Sequence, residues 1–146
     1  MAASMELSCK FCRIISRELA SAAVFEDEVS LAFLDHRPLF PGHCLLVPKE
    51  HYQTLPDLPT RLLTPLFANA AGLARAMEVG LAAEGSFVAI NNRISQSIPH
   101  LHIHVVPRRR RDGLKGFFWP RQGYRDEEHL KEVQRLLQET MARLRG

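Results

Sequence analysis

The segment from residue 96 to residue 107 constrains this chain more than any other part of its sequence. It reads Gln-Ser-Ile-Pro-His-Leu-His-Ile-His-Val-Val-Pro. Successive side chains of a strand point to opposite faces, so we expect His100, His102 and His104 on one face, about 7 Å apart, and the intervening aliphatic residues in a core. Histidine acts as nucleophile, proton carrier or metal ligand near neutral pH. Three on one face therefore predict a chemical site, because packing alone does not explain them.

Length and composition fit a single soluble domain. The chain has 146 residues, of which 46% are hydrophobic and 24% charged, and this is enough for a hydrophobic core. The apolar runs are too short for a bilayer and the first residues lack signal-peptide blocks, so we expect no membrane partner and a cytoplasmic location. Of three cysteines, two lie in Cys9-Lys-Phe-Cys12, which favours thiols or a metal site over a disulfide framework.

The positive charge is concentrated directly after the histidine segment. The net charge is +3, and positions 108–111 are four consecutive arginines. A solvated loop is one interpretation of this run, and attraction of a polyanion such as a nucleotide phosphate is the other. We predict no nucleic-acid partner, because no nucleic-acid-binding motif is present and aromatic residues do not interleave with the arginines.

The alternation of apolar and turn residues predicts an α+β fold with a mainly antiparallel, five-stranded sheet. Turn residues such as Pro41-Gly42 bound the strands. The predicted strands are residues 23–26, 30–36, 43–49, 87–92 and 100–107.

Three helices complete this prediction. A short one follows Cys9, and a long one covers residues 65–83, with Thr64 as N-cap, Pro65 at its first position and Gly85 as its stop. The apolar stripe of the long helix consists of Leu66, Ala70, Leu73, Met77 and Leu81. We assign residues 1–125 to the main domain and residues 126–146 to an amphipathic C-terminal helix packed on that same domain.

The histidine segment carries a resemblance to a known family. His100-Leu101-His102-Ile103-His104-Val105-Val106 resembles the His-φ-His-φ-His-φ-φ signature of the histidine triad (HIT) superfamily of nucleotidyl hydrolases and transferases. Residues 11–15, 25–27, 31–35 and 47–51 match the N-terminal half of the family in order and spacing. The resemblance covers about residues 8–120 and is nearest to the zinc-binding microbial branch close to the purine nucleoside phosphoramidases. It implies a HIT-like fold with one long central helix.

The resemblance also implies catalytic roles. In the family the middle histidine attacks the α-phosphorus and forms a covalent nucleotidyl-histidine, which water hydrolyses. Here that residue is His102, and a neutral imidazole is a nucleophile that needs no strong base. His104 would bond the backbone or its neighbours and fix the tautomer of His102. The other groups implied at the phosphate or leaving group are His100, Ser97 and Gln96.

Substrate recognition follows from the same resemblance. Asp35 matches the carboxylate that accepts both ribose hydroxyls. Asn92, or alternatively Asn91, matches the asparagine beside the phosphate, although the spacer to the triad is shorter here. The implied apolar pocket for a purine base consists of Phe11, Leu19 and Phe33. Plain core packing is an equal alternative for Leu19 and Phe33.

Cys9 and Cys12 supply half of a tetrahedral zinc site, which two histidines would complete. The resemblance implies Cys9, Cys12, His51 and His100 as the ligands of a structural zinc. A redox pair and two unlinked buried thiols are the alternatives, but the flanking pattern of a thioredoxin-like motif is missing. His36 and His43 flank the Asp35 loop; an approach to the nucleotide is one interpretation, and we favour surface or capping roles for both.

Two classes of function fit these observations. The first is a nucleotidyl hydrolase or transferase acting on a nucleoside phosphoramidate, an acyl-adenylate or a dinucleoside polyphosphate and releasing a nucleoside monophosphate. The second is a nucleotide-binding, zinc-stabilised interaction protein with little activity. A metallohydrolase with three histidines on zinc is a third possibility. The family resemblance further implies a homodimer, in which the segment around Trp119 reaches the partner's site.

Overall fold

The computed structural model describes residues 6–114 and 121–145. Within them it contains α1 (Lys10–Ile15), β1 (Ala23–Glu26), β2 (Ser30–Leu34), β3 (Cys44–Pro48), a 3-10 turn (Leu55–Asp57), α2 (Thr60–Leu81), β4 (Gly85–Ala89), β5 (Ile103–Arg108) and α3 (Glu127–Arg145). The chain divides after Asp112 into two compact units. None of the helices in the described ranges is long and apolar enough to cross a membrane. Trp119 lies outside the described residues.

The first unit is built on one antiparallel sheet. The strand order is β1-β2-β3-β5-β4, which confirms the predicted α+β class and the five-stranded sheet. The apolar stripe of α2 packs against one face, where Leu46, Ile103 and Val105 are fully buried. Residues of α1 pack with the other face, in a second cluster that contains Phe33 and Leu45. The aliphatic residues of the histidine segment therefore face a core, as predicted.

Helix α2 begins earlier than the sequence predicted. It starts at Thr60 with Pro59 as N-cap, so Pro65 lies in its second turn and Thr64 is an interior residue. The earlier start buries Leu62 in the same stripe as Leu66. Burial of one more leucine, worth about 1.5–3 kcal/mol, helps to offset the hydrogen bond that Pro65 removes from the ladder.

The end of α2 also differs from the prediction. Ala82 adopts a left-handed conformation with φ of 55°, and the Ala83 amide donates to the Met77 carbonyl. A residue other than glycine therefore terminates the helix. Gly85, predicted as the stop, is the first residue of β4, and Leu81 is 45% exposed instead of belonging to the buried stripe.

The strand that was expected to carry all three histidines is shorter than predicted. The pairing of β3 with β5 ends where Leu46 faces Ile103. His100 and His102 precede this ladder, and the Leu101 amide donates to the Tyr52 carbonyl instead of to a strand. The triad therefore spans the entry into β5, and only His104 is a strand residue.

The second unit contains α3. Its charged residues follow the helix dipole, with Glu127 and Glu128 in the first turn and Arg143 and Arg145 in the last. None of its residues is buried, and Leu137 and Leu144 are largely exposed. The proposal that this helix packs on the main domain stays a prediction.

Candidate active site

Two thiols and two imidazoles form a buried cluster beneath the N-terminus of α1. Cys9 caps α1, and its sulfur accepts the Cys12 amide at 3.4 Å. Nδ1 of His100 lies 3.4 Å from the sulfur of Cys9 and 3.6 Å from that of Cys12, and Nδ1 of His51 lies 3.3 Å from the Cys12 sulfur. All four possible ligand atoms lie within 4.8 Å of one another. We call these four residues the thiol–imidazole cluster.

Oxygen atoms behind the two imidazole rings orient the lone pairs of this cluster. Nε2 of His100 lies 2.9 Å from the Pro48 carbonyl, which can only accept, so Nε2 carries the proton and Nδ1 presents its lone pair to the sulfurs. Nε2 of His51 lies 3.6 Å from a carboxylate oxygen of Glu6. An oxygen acceptor behind a histidine is the usual outer partner of a metal-ligating imidazole. The donor set and its orientation fit Zn²⁺.

Burial sets the protonation of this cluster in the absence of a cation. It raises the pKa of the Cys12 thiol to about 11. Burial also lowers the pKa of His100 to about 4, with a smaller contribution from the neighbouring His51. The imidazole is therefore neutral at physiological pH, and a cation that binds here displaces thiol protons.

His102 is held by the backbone of its own segment. Its Nδ1 lies 2.7 Å from the carbonyl oxygen of His100, so Nδ1 carries the proton and Nε2 keeps its lone pair. Burial lowers the pKa of His102, against opposing contributions from this hydrogen bond and from Asp35. The ring is thus neutral, in the tautomer that leaves Nε2 available as a nucleophile.

The resemblance implied that His104 fixes the tautomer of His102, but in the structure the backbone of His100 does so. Nδ1 of His104 lies 3.0 Å from Nε2 of His43, and the rings of His102 and His104 meet edge to face with centroids 5.0 Å apart. The carbonyl of His100 already accepts the hydrogen bond from Nδ1–H of His102. His104 therefore contacts His102 through ring packing, and its Nδ1 is hydrogen-bonded to His43.

His43, for which the sequence favoured a surface or capping role, is a buried member of the candidate site. It is buried, and its Nδ1 accepts the Leu39 amide at 3.0 Å. Its proton is therefore on Nε2, which donates to Nδ1 of His104, so the His104 proton lies on Nε2. We call this chain, from the Leu39 amide through His43 to His104, the histidine relay. Strand alternation places His43 on the same face as the buried Leu45 and Val47, and that signal identifies it as a buried residue.

The relay stays neutral and does not fit a metal. Burial lowers the pKa of His43, and burial together with the neighbouring histidines lowers that of His104 to about 4. Ligand atoms of Asp35, His43 and His104 come within 4.8 Å of one another. A metal on Nε2 of His43 would require a proton on Nδ1, where the Leu39 amide already donates. The hydrogen bonds of the relay therefore fix the tautomer of His104, with its proton on Nε2.

A pocket of about 1030 Å³ opens beside these rings. Its lining includes His102, His104, Ser97 and Asp35, and the predicted base-pocket residues Phe11 and Phe33. One Asp35 oxygen accepts the Arg37 amide at 2.9 Å, and the other lies 3.8 Å from Nε2 of His43. Apolar rings, a carboxylate and the two imidazoles of His102 and His104 thus line one pocket.

Three predicted substrate contacts are used differently in the structure. Asn92 accepts the Leu55 amide at 2.8 Å through its side-chain oxygen, and the Gln96 amide donates to the Gln53 carbonyl at 2.6 Å. Neither residue is part of the pocket lining, and Leu19 packs in the core cluster around α1. Through these hydrogen bonds Asn92 and Gln96 fix the loop that carries Ser97. The sequence pattern does not reveal which backbone groups an amide side chain will bond to.

The arginine run has protein partners. Arg108 forms an ion pair with Asp112 at 2.5 Å, Arg109 donates to the Leu81 carbonyl, and Arg110 lies 3.7 Å from Glu84. These contacts join the end of β5 to the end of α2. They favour a structural role over attraction of a polyanion.

Comparisons with known proteins agree with this geometry. The model of the HIT domain family matches residues 16–111. The chain is 34% identical over 147 residues to the adenosine 5′-monophosphoramidase of Saccharomyces cerevisiae, covering 99% of this chain and 87% of that protein. It is 33% identical over 113 residues to an adenylylsulfatase of Arabidopsis thaliana, covering 76% of this chain and 57% of that protein. A zinc-bound histidine triad family protein from Mycobacterium smegmatis superimposes with a TM-score of 0.71 at 38% identity, covering 94% of this chain and 96% of that one.

Proposed function

The chain belongs to the HIT family, and on that premise we propose that it is a nucleotide hydrolase with His102 as its nucleophile. The proposal rests on the tautomers of two histidines that line the same pocket. His102 has a lone pair on Nε2, whereas His104 carries its proton on Nε2. A free imidazole lone pair beside an N–H group that can donate a hydrogen bond to the phosphoryl or leaving-group atoms supports displacement at a phosphorus atom.

In the proposed reaction, Nε2 of His102 forms a bond to the α-phosphorus of a nucleotide. The bond from phosphorus to the leaving group breaks, and the leaving group takes the electron pair and a proton from solvent water in the pocket. His104 keeps its proton and donates a hydrogen bond from Nε2 to the leaving group, while its Nδ1 accepts from His43. The positive charge on the nucleotidyl-imidazole is stabilised by the carbonyl of His100, 2.7 Å from Nδ1. Water then attacks the phosphorus, releasing a nucleoside monophosphate and free His102.

The remaining pocket residues support nucleotide recognition. We propose that Asp35 accepts the ribose hydroxyls and that Phe11 and Phe33 enclose a purine base. Ser97 would contact the phosphate or the leaving group. The leaving group itself is a phosphoramidate nitrogen, an acyl group or a polyphosphate; relatives named as a phosphoramidase and an adenylylsulfatase differ in this part of the substrate.

We propose that the thiol–imidazole cluster binds one Zn²⁺ through Cys9, Cys12, His51 and His100. Four protein ligands leave no open position, so the ion would stabilise the fold, as structural zinc does, without activating water. A metallohydrolase with all three triad histidines on zinc disagrees with the hydrogen bonds. The only lone pair of His104 accepts from His43, and that of His100 faces the cluster sulfurs, so neither is directed at an ion shared with Nε2 of His102. We also retain the proposals of a homodimer and a cytoplasmic location.

The test compares wild type with His102→Ala on adenosine 5′-phosphoramidate and diadenosine tetraphosphate, with zinc content defined. We expect turnover to fall by about 10³-fold or more, because the nucleophile is removed, and AMP binding to stay within a few-fold. Phosphorus NMR of products and calorimetric titration of AMP measure these quantities. Wild-type turnover in the variant would overturn the proposed mechanism. A wild-type protein that binds AMP and turns over neither substrate would favour the interaction-protein alternative.

A further inference from the structure

His100 belongs to the thiol–imidazole cluster and also holds the nucleophile. Its ring is fixed at both nitrogens, by the sulfurs at Nδ1 and by the Pro48 carbonyl at Nε2. Its main-chain carbonyl accepts Nδ1–H of His102 at 2.7 Å. The ring contacts of the cluster therefore fix the peptide unit that sets the tautomer of His102.

Phe11 provides a second connection between the cluster and the nucleophile. It lies between the two cluster thiols in the sequence, so Cys9 and Cys12 fix its backbone on both sides. Its ring packs edge to face against His102 with centroids 5.1 Å apart, and against His100 at 5.8 Å. A shift of the Cys9–Cys12 turn would move this ring directly against the nucleophile.

We propose that the thiol–imidazole cluster positions His102 for catalysis, through the His100 carbonyl and the Phe11 ring, in addition to stabilising the fold. His100 and Phe11 act here as positioning residues for the nucleophile. This inference rests on the proposed function of His102. It predicts that a substitution of His51 alters the tautomer and orientation of the His102 ring, although the two side chains are not bonded to each other.

The test uses His51→Gln, which removes the cluster member that does not touch His102. In protein labelled with ¹⁵N-histidine, two-bond proton–nitrogen spectra at pH 7.5 distinguish the Nδ1–H from the Nε2–H tautomer, and the His102 signals are identified by their loss in His102→Ala. We expect a single Nδ1–H form in zinc-loaded wild type and a tautomer mixture in His51→Gln. The kcat should fall by about 10-fold, the size typical of outer-shell changes, with KM changed less than kcat.

The matched control is Leu66→Ala, which destabilises the core on the opposite face of the sheet without contact to the cluster. This control should keep the Nδ1–H form and the wild-type kcat at a temperature where it is fully folded. A folded, zinc-depleted His51→Gln protein with an unchanged tautomer and kcat would overturn the inference. So would a tautomer change of equal size in the control, since that would reflect lowered stability alone.

Phe11→Leu keeps all four possible ligands and covers the case in which His51→Gln does not fold. Zinc content should remain that of wild type while the His102 signals of the nucleotide-free protein show a tautomer mixture, because the edge contact with His102 is lost. The tautomer is the deciding measurement here, since Phe11 also borders the proposed base pocket. Wild-type kcat and tautomer in Phe11→Leu would contradict the coupling. If wild-type protein turned over no nucleotide, the proposed function would fail, but the tautomer spectra would still decide whether the cluster holds His102.

Discussion

The thiol–imidazole cluster and the histidine relay are both built from buried, neutral histidines, yet they are prepared for opposite chemistry. In the cluster, the proton of His100 is held by the Pro48 carbonyl, and its lone pair faces two thiols. In the relay, each lone pair already faces an N–H group: the Leu39 amide for His43, and His43 for His104. Lone pairs that converge on thiols fit a cation, while matched donors and acceptors hold each ring in one neutral tautomer.

This comparison shows that burial and residue type do not decide the role of a histidine here. Burial lowers the pKa of His100 and of His104 to about 4 in both groups. The difference comes from backbone groups, a carbonyl in one case and an amide in the other. A carbonyl partner at Nε2 leaves Nδ1 of His100 with a lone pair for a cation, whereas an amide partner at Nδ1 leaves Nε2 of His43 with a proton to donate to His104.

The largest effect should come from removing the thiols of the cluster. In a Cys9→Ser, Cys12→Ser variant, we expect zinc to fall from one ion per chain to none and the free energy of unfolding to fall by roughly 5 kcal/mol or more, because metal binding is coupled to folding. Elemental analysis and denaturant titration provide the two measurements.

Cys44→Ser is the matched control for the double variant, because Cys44 is buried on the other side of the sheet and is not part of the cluster. It should keep its zinc and lose far less stability. If the double variant were as stable as wild type and wild type contained no metal, the two histidine groups would not differ in the way proposed.

An intermediate effect is expected from the relay. His43→Ala leaves the Leu39 amide and Nδ1 of His104 without their partner and should cost about 2–4 kcal/mol of stability. His43→Asn restores an acceptor for the Leu39 amide, because Oδ1 occupies the place of Nδ1, and should recover about 1 kcal/mol. Both variants should reduce kcat by about 10²-fold with zinc content unchanged, since neither donates to His104.

Denaturant titration, steady-state kinetics and elemental analysis separate these contributions of His43. Full activity in His43→Asn would show that the relay only supports the fold. Loss of zinc in either variant would contradict the independence of the two histidine groups.

The smallest effect concerns Asp35, which borders the relay and faces the pocket. In Asp35→Asn one acceptor oxygen becomes a donor, so one ribose hydroxyl loses its partner at a cost of about 1–3 kcal/mol of nucleotide binding. The loss should largely vanish for a 2′,3′-dideoxynucleotide, which has no hydroxyls to bond. Calorimetric titration of both ligands into both proteins measures the difference. Equal weakening would assign Asp35 to the relay and the fold instead of the ribose.

The sequence predicted the sheet better than the hydrogen bonds of the candidate site. Apolar runs bounded by turn residues indicated the strands, and β3 is buried at every position, but these patterns did not show that the pairing of β3 with β5 begins only at Ile103. Pro65 indicated a helix start, whereas burial of Leu62 extended the helix to Thr60. The hydrogen bonds of Asn92 and His43 depend on the amides of Leu55, 37 positions away, and of Leu39, four positions away in the preceding loop. The sequence pattern does not show which backbone amide a side chain will accept from.

The spacing of the cluster also has a consequence for the unfolded chain. Cys9 and His100 are 91 positions apart, and Cys12 and His51 are 39 apart. An ion held by both ends would close a long loop, and a cross-link of this span restricts chain entropy by roughly 4–5 kcal/mol in the treatment used for disulfides. The two ends meet only after β3 and β5 have approached, so the ion would bind late in folding. Bound zinc should therefore slow unfolding far more than it accelerates folding.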